Sequence, residues 1–267
     1  MPLRNIPTEP FAVASGQARF EVEGDSVTLY INALPSSQFS FSSPTDFEFE
    51  YMRWMFAACE VTFSKTAAPR ALHLGAGGCA LARGIAHRWR DSRHLAVDTD
   101  AELAKQVRTY LPLPRKPVLR LRVADAAQTL SARPPASHDL IIRDVFAADG
   151  TMDELWSGAQ AAAWAASALR TGGLFLANRG ERPPGTGARA ELRALMEQFA
   201  YTAVIAEPGL LRGRRKGNLV LVARHEPLDG AAEATLARKL RMGAVPARLI
   251  VGAEAQQWAG RADRNNR

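Results

Sequence analysis

The sequence predicts an α/β fold: a mostly parallel sheet with helices on both faces, preceded by a small N-terminal β-hairpin appendage. Three observations carry this. Short apolar runs alternate with helical-period segments between residues 70 and 223, the signature of strand–helix–strand units. A glycine-rich turn, Gly75-Ala76-Gly77-Gly78, stands between the first of these runs and a helix. The last two runs, 202–206 and 218–223, are joined by only 11 residues, too few for a helical crossover with its turns. The last of seven strands is therefore expected to run antiparallel.

The elements follow in order. Residues 1–16 read as a loose leader, and 18–22 and 26–31 as a hairpin turning at Glu23-Gly24-Asp25. The Ser- and Pro-rich stretch 32–46 reads as a loop. Residues 47–63 have helical spacing, with Phe47, Tyr51, Trp54, Met55 and Ala58 on one side. Strand 71–74, helix 80–89 and strand 95–97 form the central unit. Next come helix 102–111, closed by Pro112 and Pro114, strand 118–123, short helix 126–131 and strand 138–143. A helix at 153–169 stops at Thr171-Gly172-Gly173, and strand 174–177 and helix 190–199 follow. Beyond the final strand pair lie a helical patch at 231–240 and a polar end at 261–267. Three units are expected: hairpin and helix over 1–64, a nucleoside-binding domain over 65–226, and a helical tail over 227–267.

Composition sets the bounds. At 267 residues and 47% hydrophobic, the chain can bury a full core. No run approaches the roughly 18 apolar residues of a membrane helix. The N-terminus lacks an apolar signal core, so a cytoplasmic protein with no membrane partner is expected. Cys59 and Cys79 form no metal or disulfide spacing pattern; two reduced thiols are expected, and the sequence leaves a bridge open. The net charge of +7 and pI near 9.9 invite a nucleic-acid reading. The densest basic cluster is Arg212, Arg214, Arg215 and Lys216, without interleaved aromatics, so nucleic acid is set aside as a partner.

The chemistry gathers at the strand ends. Gly75, Gly77 and Gly78 let the backbone approach a ligand closely. Asp98 ends strand 95–97, 20 residues after Gly78, where an acid accepts hydrogen bonds from ribose hydroxyls. The dinucleotide fingerprint would need glycine at Ala80, so the turn suits an adenosyl sulfonium better than NAD. Asp125 and Asp144 end the next two strands, and all three acids share one sheet edge by construction. Each has a plainer reading: Asp98 and Asp125 as helix caps, Asp144 as a turn residue. A basic chain with carboxylates at its ligand edge binds a cation there, as in amine alkylation by a sulfonium donor.

The ordered segments LHLGAGGCALAR, VDTDAELAKQVRTYLPL, LRVADAAQTL, HDLIIRDVF and LRTGGLFLANR resemble the spermidine synthase family of polyamine aminopropyltransferases. The similarity covers residues 18–225 and is closest to actinobacterial spermidine synthase-like members. It implies a Rossmann-like class I methyltransferase sheet and aminopropyl transfer from decarboxylated S-adenosylmethionine to an amine such as putrescine. The donor is a co-substrate; no prosthetic group and no metal are expected. Family members are commonly dimers, which implies a homodimer. By resemblance, Gly75, Gly77 and Gly78 hold the donor's sulfonium and amino end, Asp98 its ribose, and Asp125 with Ala126 its adenine. Asp144 is the base, Tyr51 positions the substrate, and Asp149 is the nearby second acid of the amine site.

The chain also departs from the family pattern. Gly78 stands where the family has an aspartate that anchors the aminopropyl amine, and Ala147 where the second acid of a D-x-x-D pair would be. Met52 and Arg53 replace a His and a Glu after the tyrosine, and Arg53 is expected to repel a diammonium acceptor. Ser36 stands at a glutamine position of the hairpin exit. The nucleoside half is kept and the polyamine half is mostly lost. Two other functions therefore stay open: S-adenosylmethionine-dependent methyl transfer to another acceptor, and non-catalytic nucleoside binding.

Overall fold

The computed structural model describes residues 6–145, 154–183 and 185–260. Asp149 and Ala147 lie outside them. The N-terminal appendage is larger than a hairpin. Four strands, β1 (Phe11–Val13), β2 (Gly16–Glu23), β3 (Ser26–Ile31) and β4 (Leu34–Ser40), form an antiparallel sheet in sequence order. The β2–β3 turn uses Gly24 at φ +57°, as expected, but β1 falls in the stretch read as a leader and β4 in the stretch read as a loop. The turn before β4 is Asn32-Ala33, with both residues left-handed (φ 49° and 63°), the hairpin geometry that normally calls for Asn-Gly. The strand itself, LPSSQFS, is weak in β-formers, and Pro35 sits on an edge strand beside a register irregularity at Leu29/Tyr30. Neither signal was strong enough to read as a strand.

Helix α1 (Glu50–Thr62) buries Tyr51, Met52, Trp54, Met55, Phe56, Ala57, Ala58 and Cys59. The main sheet follows: β5 (Arg70–Leu74), α2 (Ala80–Arg88), β6 (Arg93–Asp98), α3 (Ala101–Tyr110), β7 (Leu119–Val123), α4 (Ala126–Ser131) and β8 (His138–Arg143). A 3-10 turn at Glu154–Ser157 precedes α5 (Ala159–Ala168) and β9 (Leu169–Glu181). Thr171-Gly172-Gly173, read as a helix stop, lies inside β9, where Gly172 takes φ +80°. Then come α6 (Thr186–Gln198), β10 (Tyr201–Ala206), the single turn α7 (Pro208–Leu211), β11 (Gly217–Arg224), α8 (Gly230–Arg241), β12 (Arg248–Val251) and α9 (Gly252–Ala259).

The sheet order is β12-β10-β11-β9-β8-β5-β6-β7. Strands β5 to β9 pair in parallel, and β11 runs antiparallel to both β9 and β10, as the short 206–217 connection requires. The sheet has eight strands rather than seven. The extra one, β12, lies antiparallel on β10 in a segment read as helical tail. Its four residues, RLIV, are too few to carry an alternation signal.

Two cores form, one on each sheet face. Helices α1, α2, α3 and α8 and the N-terminal sheet cover one; α4, α5, α6 and α9 cover the other. The N-terminal sheet thus sits over the first face, where it can roof the carboxyl ends of the parallel strands. Gly84 lets the connection between β4 and α1 pack onto α2, since a Cβ there would lie 2.4 Å from the Phe47 ring. No helix among the described residues is long and apolar enough to cross a membrane.

Candidate active site

A cleft of about 850 Å³ opens at the carboxyl ends of β5, β6 and β8 beneath the N-terminal sheet. Gly75, Gly77, Asp98, Asp125, Ala126, Asp144 and Tyr51 all line it, so the structure brings together most of the residues singled out from sequence.

Asp98 stands against the glycine turn. Its Oδ2 accepts hydrogen bonds from the amides of Ala76 (3.1 Å) and Gly77 (3.0 Å), and Oδ1 accepts the Asp100 amide at 3.1 Å. The helix-cap reading of Asp98 is excluded, because Asp100 caps α3 through Leu103 N at 2.9 Å. Asp98 instead fixes the turn, and with three amides bound it keeps about one acceptor site, on Oδ1. Asp125 does cap α4, accepting from Gln128 N at 2.7 Å, and still borders the cleft with buried Ala126.

The three glycines do different work. Gly75 is left-handed (φ +82°), and a Cβ on it would lie 2.1 Å from the Asp144 carbonyl oxygen, so only glycine lets β5 and β8 end side by side. Gly77 (φ +44°) faces open space. Gly78 faces away from the cleft: a Cβ there would lie 2.7 Å from Ser37 Cβ and 2.9 Å from the Phe39 ring. It is a seat for β4 and is not among the residues that line the cleft. Cys79 follows in a left-handed conformation (φ 63°), and burial pushes its thiol up to about 12, with the Asp98 charge adding to the shift.

At the other end, Asp144 Oδ2 accepts from the Tyr51 hydroxyl (2.9 Å) and Oδ1 from Asn178 Nδ2 (2.7 Å). Burial raises the Asp144 carboxyl above its usual range, and the two hydrogen bonds work against that rise. Burial and then the Asp144 charge push the Tyr51 phenol well above its ordinary value. Tyr51 is therefore a hydrogen-bond donor at any working pH. Beneath Asp144, the buried Arg143 guanidinium reaches the Asn178 carbonyl at 2.8 Å and pairs with Glu191, which also holds Arg179 at 3.0 Å.

Three residues the sequence reading passed over belong here. Asn178 reads as an interior strand residue and only its partner marks it. Trp156 is buried but lines the cleft in the 3-10 turn. His73 also lines it. Arg53 is the reverse case. Its guanidinium donates to the Phe47 carbonyl and lies 3.9 Å from Glu48, while Met52 faces the cleft, so the expected repulsion of an acceptor does not arise there.

No family model matches the chain, and no curated protein sequence does. Among solved structures, a probable spermidine synthase from Corynebacterium glutamicum superposes with a TM-score of 0.90 at 32% identity, covering 96% of this chain and 95% of that one. The chain belongs to the spermidine synthase-like family. Fold likeness extends further: the Thermotoga maritima spermidine synthase matches at TM-score 0.58 and 16% identity over 88% of this chain and 77% of that one. Human methyltransferase-like protein 13, solved with SAH, matches at 0.57 and 19% over 73% of this chain and 93% of its own. Within this spermidine synthase-like frame, the Asp98–glycine turn and the Tyr51–Asp144–Asn178 cluster line one cleft.

Proposed function

We propose that the protein is an aminopropyltransferase that moves the aminopropyl group of decarboxylated S-adenosylmethionine to an amine. The observation that carries this reading is the Tyr51–Asp144–Asn178 cluster, facing the same cleft as the glycine turn and Asp98. The reaction is a direct displacement. The acceptor's neutral nitrogen forms a bond to the carbon beside the sulfonium, the carbon–sulfur bond breaks, and its electron pair returns to sulfur as neutral methylthioadenosine. The ammonium proton passes to Asp144, whose raised affinity for protons suits a general base. Orienting the two reactants between fixed ends contributes up to about 7–11 kcal/mol.

Asp98 takes a ribose hydroxyl, Gly75 and Gly77 the sulfonium side, and Ala126 the adenine, while Tyr51 and Asn178 hold the base. Among the described residues, the acceptor end carries one carboxylate, Asp144, with Met52 and Trp156 beside it. A cytoplasmic homodimer is part of the same proposal.

The observation favouring a second reading, methyl transfer from S-adenosylmethionine, is Gly78: no acid stands there to hold a decarboxylated donor. The deciding experiment incubates the protein with each donor and a panel of monoamines and diamines and follows the nucleoside product. Methylthioadenosine supports aminopropyl transfer. S-adenosylhomocysteine, or neither product, overturns it.

A further inference from the structure

We infer that His73 is a specificity-determining residue whose bare Nδ1 accepts a hydrogen bond from the donor's amine and rejects a donor that keeps its carboxylate. The inference deepens the proposed function and rests on it.

Position comes first. Strand side chains alternate faces, so residues two apart share one. Gly75, Asp98 and Asp144 form a rim layer on the roofed face of the sheet. Two residues back on the same strands lie His73, Ala96 and Ile142, paired in register as His73↔Ala96 and His73↔Ile142. All six line the cleft. His73 thus lies about 6.6 Å below the glycine turn. It is central between the strand that ends in the ribose acid and the strand that ends in the base. Its two neighbours in the layer are apolar, so it is the layer's single polar group.

Hydrogen bonding then fixes its proton. The Ser92 hydroxyl donates to the Trp89 carbonyl, so its oxygen is left to accept from His94 Nε2 at 2.8 Å. His94 then carries its proton on Nε2 and has an acceptor at Nδ1. That Nδ1 lies 3.0 Å from His73 Nε2, which must donate. His73 therefore presents an unprotonated Nδ1. Among the described residues this nitrogen has no hydrogen-bond partner, and His73 lines the cleft. Burial lowers the proton affinity of both rings, that of His94 to about 4, so the relay stays neutral across working pH.

A lone pair fixed in this way takes N–H or O–H groups and opposes carboxylate oxygens. The ligand segment above it is whatever spans from Asp98 to Asp144, which in the proposed reaction is the sulfonium with its alkyl-amine arm. A primary ammonium on that arm meets His73 favourably. A carboxylate on the same arm would meet a second acceptor with no proton to share.

Calorimetry with three probes tests this: methylthioadenosine, which lacks the amine arm, decarboxylated S-adenosylmethionine and S-adenosylmethionine. The wild type should prefer the decarboxylated donor. His73→Leu should bind methylthioadenosine within about twofold of wild type and lose about 10–100-fold for the decarboxylated donor, the scale of one charge-assisted hydrogen bond. Should that variant not fold, ¹⁵N resonances of the wild-type imidazole decide. Nδ1 of His73 should read as unprotonated and shift with decarboxylated donor but not with methylthioadenosine. A protonated Nδ1, or unchanged donor affinity in His73→Leu with methylthioadenosine still bound, overturns the inference alone. Failure of the wild type to bind methylthioadenosine overturns the proposed function and this inference with it.

Discussion

The Tyr51 hydroxyl and the Asp144 carboxylate meet at 2.9 Å across 93 positions of sequence, joining the helix before the main sheet to the end of its central strand. The bond is polar in a buried setting, and with the Asn178 bond it opposes the rise that burial imposes on the acid.

Asp144→Asn should abolish transfer and raise stability together. Burial raises this carboxyl, so the folded state binds its proton more tightly than the unfolded chain does. Stability then falls as pH climbs from the ordinary carboxylate range through the raised value, and near neutrality the ionised group is a net cost. An asparagine carries no charge, and its carbonyl oxygen can still accept from Asn178 Nδ2 as the carboxylate does. Steady-state rates should drop by about 10²–10⁴, the usual worth of a general base. Thermal melts at pH 7.5 should move upward; a lower midpoint would contradict the account.

Tyr51→Phe should shift the acidic limb of the rate profile to higher pH. The hydroxyl's hydrogen bond favours the ionised carboxylate, so its loss leaves desolvation less opposed. The rate profile against pH for both proteins is the check, and coincident limbs would remove Tyr51 from the site's electrostatics.

Gly78→Asp should not create an amine anchor. The new Cβ would enter the space of Ser37 and Phe39 and push β4 off the turn. A loss of about 1–3 kcal/mol in denaturant unfolding is expected, with weaker donor binding rather than tighter.

Glu191→Gln should cost up to about 3–5 kcal/mol, because its buried carboxylate pairs with both Arg143 and Arg179, although Arg179 keeps Glu181 at 3.2 Å. Urea unfolding measures it. A loss under about 1 kcal/mol would mean that the two guanidinium groups find other compensation.

Iodoacetamide at pH 8 should leave Cys59 and Cys79 unlabelled in the folded protein and label both after denaturation. Both thiols are free, buried and pushed up by burial. Mass spectrometry of intact protein reads the outcome directly.

Much of the donor half was legible because its signals are local. A glycine turn after an apolar run, and acids at the ends of the next three strands, can be read without knowing what packs where. The spacing from Gly78 to Asp98 brought the acid to the turn, although Gly78 itself turned out to seat β4. The acceptor half was less legible because its parts are distant in sequence. Asn178 and Trp156 look like interior residues until folding sets them beside Asp144. The proton on His73 depends on Ser92, 19 positions along the chain, and no periodicity encodes such a relay. The small roof sheet was under-read because Asn32-Ala33 makes its turn without a glycine.

That roof is fastened in an asymmetric way. Asp100 Oδ2 takes the Ala14 amide at 2.6 Å, and the Arg83 guanidinium reaches the carbonyls of Ser40 at 2.8 Å and Phe41 at 3.3 Å. These joints use side chains of the main domain and peptide groups of the roof, while Arg83 also lies over the Phe39 ring and Gly78 leaves room for Ser37 and Phe39. The roof is therefore keyed to α2 and the glycine turn by its backbone path and by the side chains of β4 together, and a replacement for it must keep both.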